Sequence, residues 1–338
     1  MNDLKIRVHQ WTAEERKANE GFYAALREIW NTMIPWYQLE EPYSEKGAQR
    51  FRDQMKYGGG GWPARKRLDD IAVNIPFPSS TGAQGVYLRV FKPASASNGG
   101  SKGVYLHIHG GGWTVGSADI EDETLYRIAC NTGYTVASCE YRLAPKHPYP
   151  APVDDCLDAT LYLLTPEVEE KLGPLRLIGG ESAGAHLTMT TVFALRSRGI
   201  DVRTQLDAVV FNYGCFDMDQ TPSVRAFKDN LVLSPVDMVN FANSWLSNVR
   251  NRQVPEISPL FQADWTNLPP AIFVVGTDDC LYDDSLFASI KWHMGCNDTL
   301  LSIFPGSKHG FCRLNGPDCD AGLTASEVFI DEHNRQSK

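Results

Sequence analysis

A serine sits between two glycines at Gly180-Glu181-Ser182-Ala183-Gly184, after the apolar run Leu175-Arg176-Leu177-Ile178-Gly179 and ahead of Ala185-His186-Leu187-Thr188-Met189-Thr190. A Gly-x-Ser-x-Gly at a strand-to-helix junction is a nucleophile elbow. The turn strains the serine backbone and tolerates only small residues two positions to either side, which lifts the hydroxyl clear of the sheet. By itself the pentapeptide is a weak signal. Its weight depends on partners elsewhere in the chain.

The first partner is His107-Ile108-His109-Gly110-Gly111-Gly112-Trp113. Three glycines at a strand end let backbone N–H groups turn toward an anion with no side chain in the way. An oxyanion hole needs such fixed donors, and they are expected at Gly111, Gly112 and Ala183, the residue after the serine. His109 is read as orienting the loop through its ring rather than as a base. The second partner lies near the C-terminus. The strand Ala271–Gly276 leads into Thr277-Asp278-Asp279-Cys280-Leu281-Tyr282-Asp283-Asp284, and a later strand ends before His309-Gly310-Phe311. The order is Ser…Asp…His. His309 would take the serine proton while a carboxylate holds the imidazole tautomer. Four acids, Asp278, Asp279, Asp283 and Asp284, compete for that last role.

These residues need a scaffold that brings them to one edge. Eight β-like segments are expected: Asp70–Pro76, Gly85–Phe91, Gly103–His109, Thr135–Tyr141, Leu175–Gly179, Leu206–Tyr213, Ala271–Gly276 and Thr299–Phe304. From the third onward they alternate with helical stretches, Ile120–Cys130, Pro152–Leu164 and Ser182–Arg196 among them. That alternation implies a mostly parallel sheet covered on both faces, with the first two strands as an antiparallel hairpin at one edge. Residues 10 to about 57 look helical and amphipathic, with Trp11, Phe22, Leu26, Ile29, Trp30, Met33, Trp36 and Tyr37 among charged residues. Gly58-Gly59-Gly60-Gly61 then reads as a hinge, because no Lys-Ser/Thr follows it as a phosphate loop requires. Between about 214 and 268 the alternation lapses into a Pro-punctuated segment with a helix expected over Pro235–Asn248.

Composition narrows the class. With 338 residues, 43% of them hydrophobic, the chain can bury a large core. A net charge of −9 and no Lys/Arg run argue against nucleic-acid binding. No stretch reaches the roughly 18 apolar residues of a membrane span, and the N-terminus lacks a signal peptide's apolar core. A cytoplasmic location is therefore expected, with the eight cysteines as free thiols. No Cys or His pair has zinc-ligand spacing, so neither metal nor cofactor is expected.

Taken together, these motifs resemble the hormone-sensitive-lipase family of α/β-hydrolases, the esterase branch marked by His-Gly-Gly-Gly, over roughly residues 70 to 330. The resemblance is carried by His109-Gly110-Gly111-Gly112-Trp113, by Tyr141-Arg142-Leu143-Ala144-Pro145 continuing to Pro150-Ala151-Pro152-Val153-Asp154-Asp155, by the elbow, and by His309-Gly310-Phe311. It implies an α/β-hydrolase fold: a mostly parallel eight-stranded sheet, helices on both faces and a helical cap. The cap would comprise residues 1–62 and 214–268, around a core of 63–213 and 269–338. Two departures are visible. Glu181 stands where the family more often has Asp, and Asp279-Cys280-Leu281-Tyr282-Asp283 replaces the usual Asp-Pro-Leu followed by an acidic pair. That alignment puts the triad acid on Asp279, with Asp278 in reserve.

The implied activity is hydrolysis of small, uncharged carboxylic esters through an acyl-enzyme, with Ser182, His309 and Asp279 as the triad. Trp113, Phe216, Phe241 and Trp245 are the pocket candidates. A pocket rich in Trp and Phe favours short acyl groups over an open lipid interface. An amidase, lactamase or formamidase would use the same triad, and a lipase would differ in interfacial activation. Some relatives of this fold are non-catalytic receptors that have lost the histidine; this chain keeps His309. The resemblance also allows a homodimer.

Overall fold

The computed structural model describes residues 3–32, 44–58, 64–94 and 100–334. Among these, nine strands form a single sheet: β1 Lys5–Val8, β2 Val73–Pro76, β3 Tyr87–Phe91, β4 Val104–Ile108, β5 Thr135–Glu140, β6 Leu175–Glu181, β7 Ala208–Asn212, β8 Ala271–Asp278 and β9 Thr299–Lys308. Their spatial order is β1-β9-β8-β7-β6-β4-β5-β3-β2. All the pairings are parallel except those of β3 with β2 and with β5. The expected antiparallel hairpin is thus present at one edge.

One strand was not expected. β1 pairs in parallel with β9, raising the expected eight strands to nine. Its sequence Lys5-Ile6-Arg7-Val8 alternates, but over only four residues, all of them exposed, which is too short a run to mark a strand.

The helices follow in chain order as α1 Ala13–Thr32, α2 Glu45–Tyr57, α3 Asp122–Thr132, α4 Ala151–Leu163, α5 Pro166–Leu172, α6 Ala183–Ser197, α7 Val202–Gln205, α8 Pro222–Ala226, α9 Pro235–Trp245, α10 Tyr282–Met294 and α11 Cys319–His333. The helical expectation over residues 10 to about 57 corresponds to α1 and α2. Met33, Trp36, Tyr37 and Gly59–Gly61 lie outside the described residues.

The period-2 alternation of the strands sorts their side chains into two cores. Leu106, Ile108, Ile178, Phe211 and Phe273 pack on one face with residues of α4, α6 and α10. Tyr105, Val136, Leu177, Val210 and Ile272 pack on the other with residues of α3 and α11. Covering both faces is why the central strands read as near-continuous apolar runs, and β4 is buried at all five positions. Arg89, a buried cation in β3, is satisfied by Asp122 at the start of α3. All eight cysteines are unpaired thiols. Among the described residues no helix is long and apolar enough to cross a membrane.

Candidate active site

Four loops leave the carboxyl ends of parallel strands at one edge of this sheet, after β4, β6, β8 and β9. In an open α/β sheet that edge is where ligands bind. The order β9-β8-β7-β6-β4 puts the Ser182 turn beside the glycine loop on one side, while on the other two strands, β7 and β8, lie between it and the strand that carries the His309 loop.

Ser182 closes β6 and opens α6 with φ 55° and ψ −120°. A non-glycine residue at such angles stores about 1–3 kcal/mol of strain, which the surrounding structure must hold in place. Its amide donates to the carbonyl of Asn212 in β7 at 2.9 Å, and its carbonyl accepts from His186 at 3.1 Å. The flanking glycines are required by β4. A Cβ on Gly180 would lie 2.3 Å from the Ile108 carbonyl oxygen, and one on Gly184 only 1.9 Å from it.

The register of the last two strands brings the acid and the histidine together. β8 and β9 shift register between Gly276 and Asp278, after which Asp278 pairs with Lys308. The next residue of each strand, Asp279 and His309, therefore emerges as a neighbour of the other. His309 Nδ1 lies 2.8 Å from Asp279 Oδ2, and Nε2 lies 3.0 Å from Ser182 Oγ. The other Asp279 oxygen accepts the Leu281 amide at 2.8 Å, which fixes the carboxylate plane. Strand alternation sends Asp278 the opposite way, and its carboxylate meets Lys308 Nζ in an exposed ion pair at 3.1 Å. Asp279, by contrast, is 2% exposed. Asp283 and Asp284 face elsewhere. Asp283 accepts the Ser223 amide, and Asp284 accepts the Phe216 and Asp217 amides with the Thr221 hydroxyl.

Opposite the serine, the loop after β4 forms a single tight turn. The Gly111 carbonyl accepts from the amides of Thr114 and Val115, so the Gly111 and Gly112 amides sit at the open amino end of that turn. Both residues have left-handed backbone, φ 113° and 56°. At Gly112 the glycine is also required by packing, since a Cβ would come 2.3 Å from the Phe241 ring. Ala183 is the first residue of α6, where an amide has no partner within the helix. Arg52 of α2 holds the far side of the loop by donating to the Thr114 carbonyl at 2.8 Å.

A family model described as the α/β hydrolase fold matches residues 105–313. The chain belongs to the α/β-hydrolase fold family. Among curated relatives of this α/β-hydrolase, an ethyl acetate hydrolase of Pseudomonas putida is 26% identical over 309 residues, covering 89% of this chain and 93% of its own. An arylesterase of Saccharolobus solfataricus is 29% identical over 228 residues, covering 66% and 72%. Among solved structures, a bacterial heroin esterase superposes with a TM-score of 0.80 at 24% identity, covering 96% of this chain and all (100%) of that one.

The remaining expectations for the hydrolase divide. His109 stands behind the glycine loop, stacked on Tyr141 with ring centroids 4.2 Å apart and Nδ1 2.8 Å from the Gly110 carbonyl. Burial lowers its pKa to about 4, so it is neutral. Three of the four expected pocket aromatics require correction. Trp113, Phe216 and Trp245 are at most 1% exposed and belong to the core. Trp113 and Trp245 stack at 4.4 Å, with His186 edge-on to both, and Trp113 Nε1 donates to His186 Nδ1. Phe216 packs edge-on against Phe211. Large aromatics bury more apolar area than any other side chains, and here the two tryptophans use it against His186 of α6 and Phe216 uses it against the sheet. Only Phe241 of the four is partly exposed, lying over Gly112. The role of Arg52 had no signal in the sequence, because nothing local marks a helix 60 residues upstream as a neighbour of the loop.

Proposed function

We propose that the protein is a serine carboxylesterase of the hormone-sensitive-lipase branch, acting on small esters with short acyl groups. The observation that carries this reading is the relay from Asp279 through His309 to Ser182, at 2.8 and 3.0 Å, on a strained elbow. In the forward direction the Ser182 hydroxyl attacks the ester carbonyl carbon as His309 Nε2 takes its proton. Asp279 holds the proton on Nδ1 and stabilises the imidazolium without taking that proton itself. The carbonyl oxygen becomes an oxyanion, met by the amides of Gly111, Gly112 and Ala183. His309 then protonates the departing alkoxide, leaving an acyl-enzyme. Water, deprotonated by the same nitrogen, attacks the acyl carbon and releases the carboxylic acid and free Ser182.

Of the expected cap segment 1–62, Lys5–Val8 instead joins the core sheet as β1, so α2 and residues 214–268 act as the cap over the glycine loop in this reading. Their contacts support it. Phe241 from α9 rests on Gly112, and Ala48 and Phe51 from α2 cluster with Val115 and Phe241. An aromatic ring beside an oxyanion donor limits the space for an acyl chain. The relatives named for ethyl acetate, and the acetyl esterases of Salmonella at 28% identity over 237 residues, point the same way.

The test is turnover of p-nitrophenyl esters from acetate to decanoate, beside labelling by a fluorophosphonate probe. The wild-type protein is expected to label and to prefer acetate and butyrate. Ser182→Ala should lose labelling and about 10⁴-fold or more of kcat. A folded wild-type protein that neither labels nor turns over any of these esters would rule the reading out. A flat profile across chain lengths would remove the short-acyl preference alone.

A further inference from the structure

Behind the glycine loop lies a buried charged cluster that the relay does not use. Glu181, the residue before the nucleophile, reaches from β6 to β4. Its Oε1 accepts the Gly110 amide at 2.9 Å, and its Oε2 lies 2.6 Å from His107 Nε2. Arg313, four residues past His309, brings Nη1 to 3.5 Å from Glu181 and pairs through Nε with Glu121, just ahead of α3. The side chains of Glu181 and Glu121 are both 5% exposed and that of Arg313 is 15% exposed. Packing around Gly110 is equally close: a Cβ there would lie 2.8 Å from the Glu181 carbonyl oxygen and 3.2 Å from Arg313 Nη1. Burial alone would raise the Glu181 carboxyl. His107, Arg313 and the Gly110 amide outweigh it and hold the pKa at about 2, so the group is a carboxylate.

This wiring has a geometric consequence. Of the three consecutive glycines, Gly110 has its amide turned back into the protein, which leaves the amides of Gly111 and Gly112 for the substrate. The anchor of that turn belongs to the same strand that carries the nucleophile, and the cation that balances it belongs to the loop that carries the base. We propose that Glu181 is a positioning residue for the oxyanion loop, with Arg313 tying that setting to the His309 loop. Neither touches the ester. The inference rests on the esterase reading above and adds to it the device that sets donor geometry.

Placement errors of about 1 Å in a catalytic constellation cost about 100-fold, and complete loss of an oxyanion donor costs about 10²–10³ in kcat. Glu181→Gln keeps the size and one acceptor oxygen but removes the charge that Arg313 balances. Kinetics with p-nitrophenyl acetate should show kcat reduced about 10- to 100-fold with KM within about 3-fold. The decisive readout is inhibition by a trifluoromethyl ketone, which forms an oxyanion on Ser182, beside the matching methyl ketone. The variant should weaken the fluorinated inhibitor by the same factor as kcat/KM and leave the methyl ketone unchanged.

Wild-type kcat with wild-type inhibition in a folded Glu181→Gln protein would overturn the inference. So would a loss of kcat with trifluoromethyl ketone affinity unchanged. If Glu181→Gln does not fold, Arg313→Lys is read the same way, with parallel losses in kcat/KM and trifluoromethyl ketone affinity expected and either non-parallel pattern overturning. Failure of the esterase reading itself would appear differently, as a wild-type protein that neither hydrolyses the ester nor binds the fluorinated ketone.

Discussion

Asp278 and Asp279 are adjacent residues of the same type, yet their surroundings differ in every respect that matters to a triad. Asp279 is buried with one oxygen on His309 and the other on an amide, whereas Asp278 points outward to Lys308. Asp279→Asn should therefore lower kcat by about 10⁴-fold, because an amide facing Nδ1 favours the wrong tautomer. Asp278→Asn breaks only an exposed pair worth under about 1 kcal/mol and should leave kcat within about 2-fold. Steady-state kinetics on the two variants decide the assignment, and equal losses would refute it. The same pair shows where the sequence stops being legible. Ser182 and His309 were marked by local signals, glycines at fixed offsets and a strand end. The acid was one of four within seven positions, and spacing could not choose among them. The choice is made by the register shift after Gly276 and the alternation that follows it, both properties of strand pairing. Glu181 was legible only as a departure from a family pattern; its contact with Gly110 joins two strands that are 71 residues apart in the chain.

At the scale of elements, the six strands β4 to β9 could be read because buried parallel strands are apolar runs between turn signals, and β2 and β3 because they lie close enough in sequence to form a hairpin. β1 could not, since its four residues are too short a run to mark a strand and its partner β9 lies about 300 residues away in the chain. The aromatics failed for another reason. Trp and Phe serve cores and pockets equally well, and hydrophobicity does not record how deeply a ring on α9 is buried. Phe241 and Trp245, one helical turn apart on α9, now separate cleanly. Trp245 is fully buried against Trp113 and His186. Trp245→Ala should cost about 3–5 kcal/mol of stability by leaving a large cavity, read as a lowered denaturation midpoint in urea with the slope unchanged. Phe241→Ala removes a partly exposed ring from above Gly112, so a smaller stability loss is expected. Its effect should appear in selectivity, with the kcat/KM ratio of hexanoate to acetate rising about 10-fold, as one to three kcal/mol of pocket contact implies. An unchanged ratio would remove Phe241 from the acyl site.

Across the whole molecule, buried ionisable groups set opposing pH dependences. Burial lowers the pKa of both His109 and His186 to about 4. The unfolded chain binds protons there that the native state does not, so these two groups make stability fall as pH drops from about 6.5 to about 4. Asp284 acts in the other direction. Burial raises its pKa to about 7 despite the hydrogen bonds from Thr221 and the amides of Phe216 and Asp217. Between about pH 4 and pH 7 the native state holds a proton that the unfolded chain has lost, so this group makes stability fall as pH rises through that window. The two effects oppose each other in the wild-type protein. Asp284→Asn should unmask the histidines. Both amide donors fall on the same oxygen, Oδ1, which Asn retains, and the Asn nitrogen can donate to the Thr221 hydroxyl that now donates to Oδ2. With the loop between β7 and α8 still anchored, the variant gains nothing at pH 4, where the wild-type carboxyl is neutral in both states. It should gain progressively toward pH 8, where the wild-type protein bears the full cost of a buried charge. The measurement is the melting temperature of both proteins at half-unit steps from pH 4 to pH 8. A difference that widens with pH locates the titration at Asp284, and a constant difference would show that its carboxyl does not titrate between the folded and unfolded states in that range.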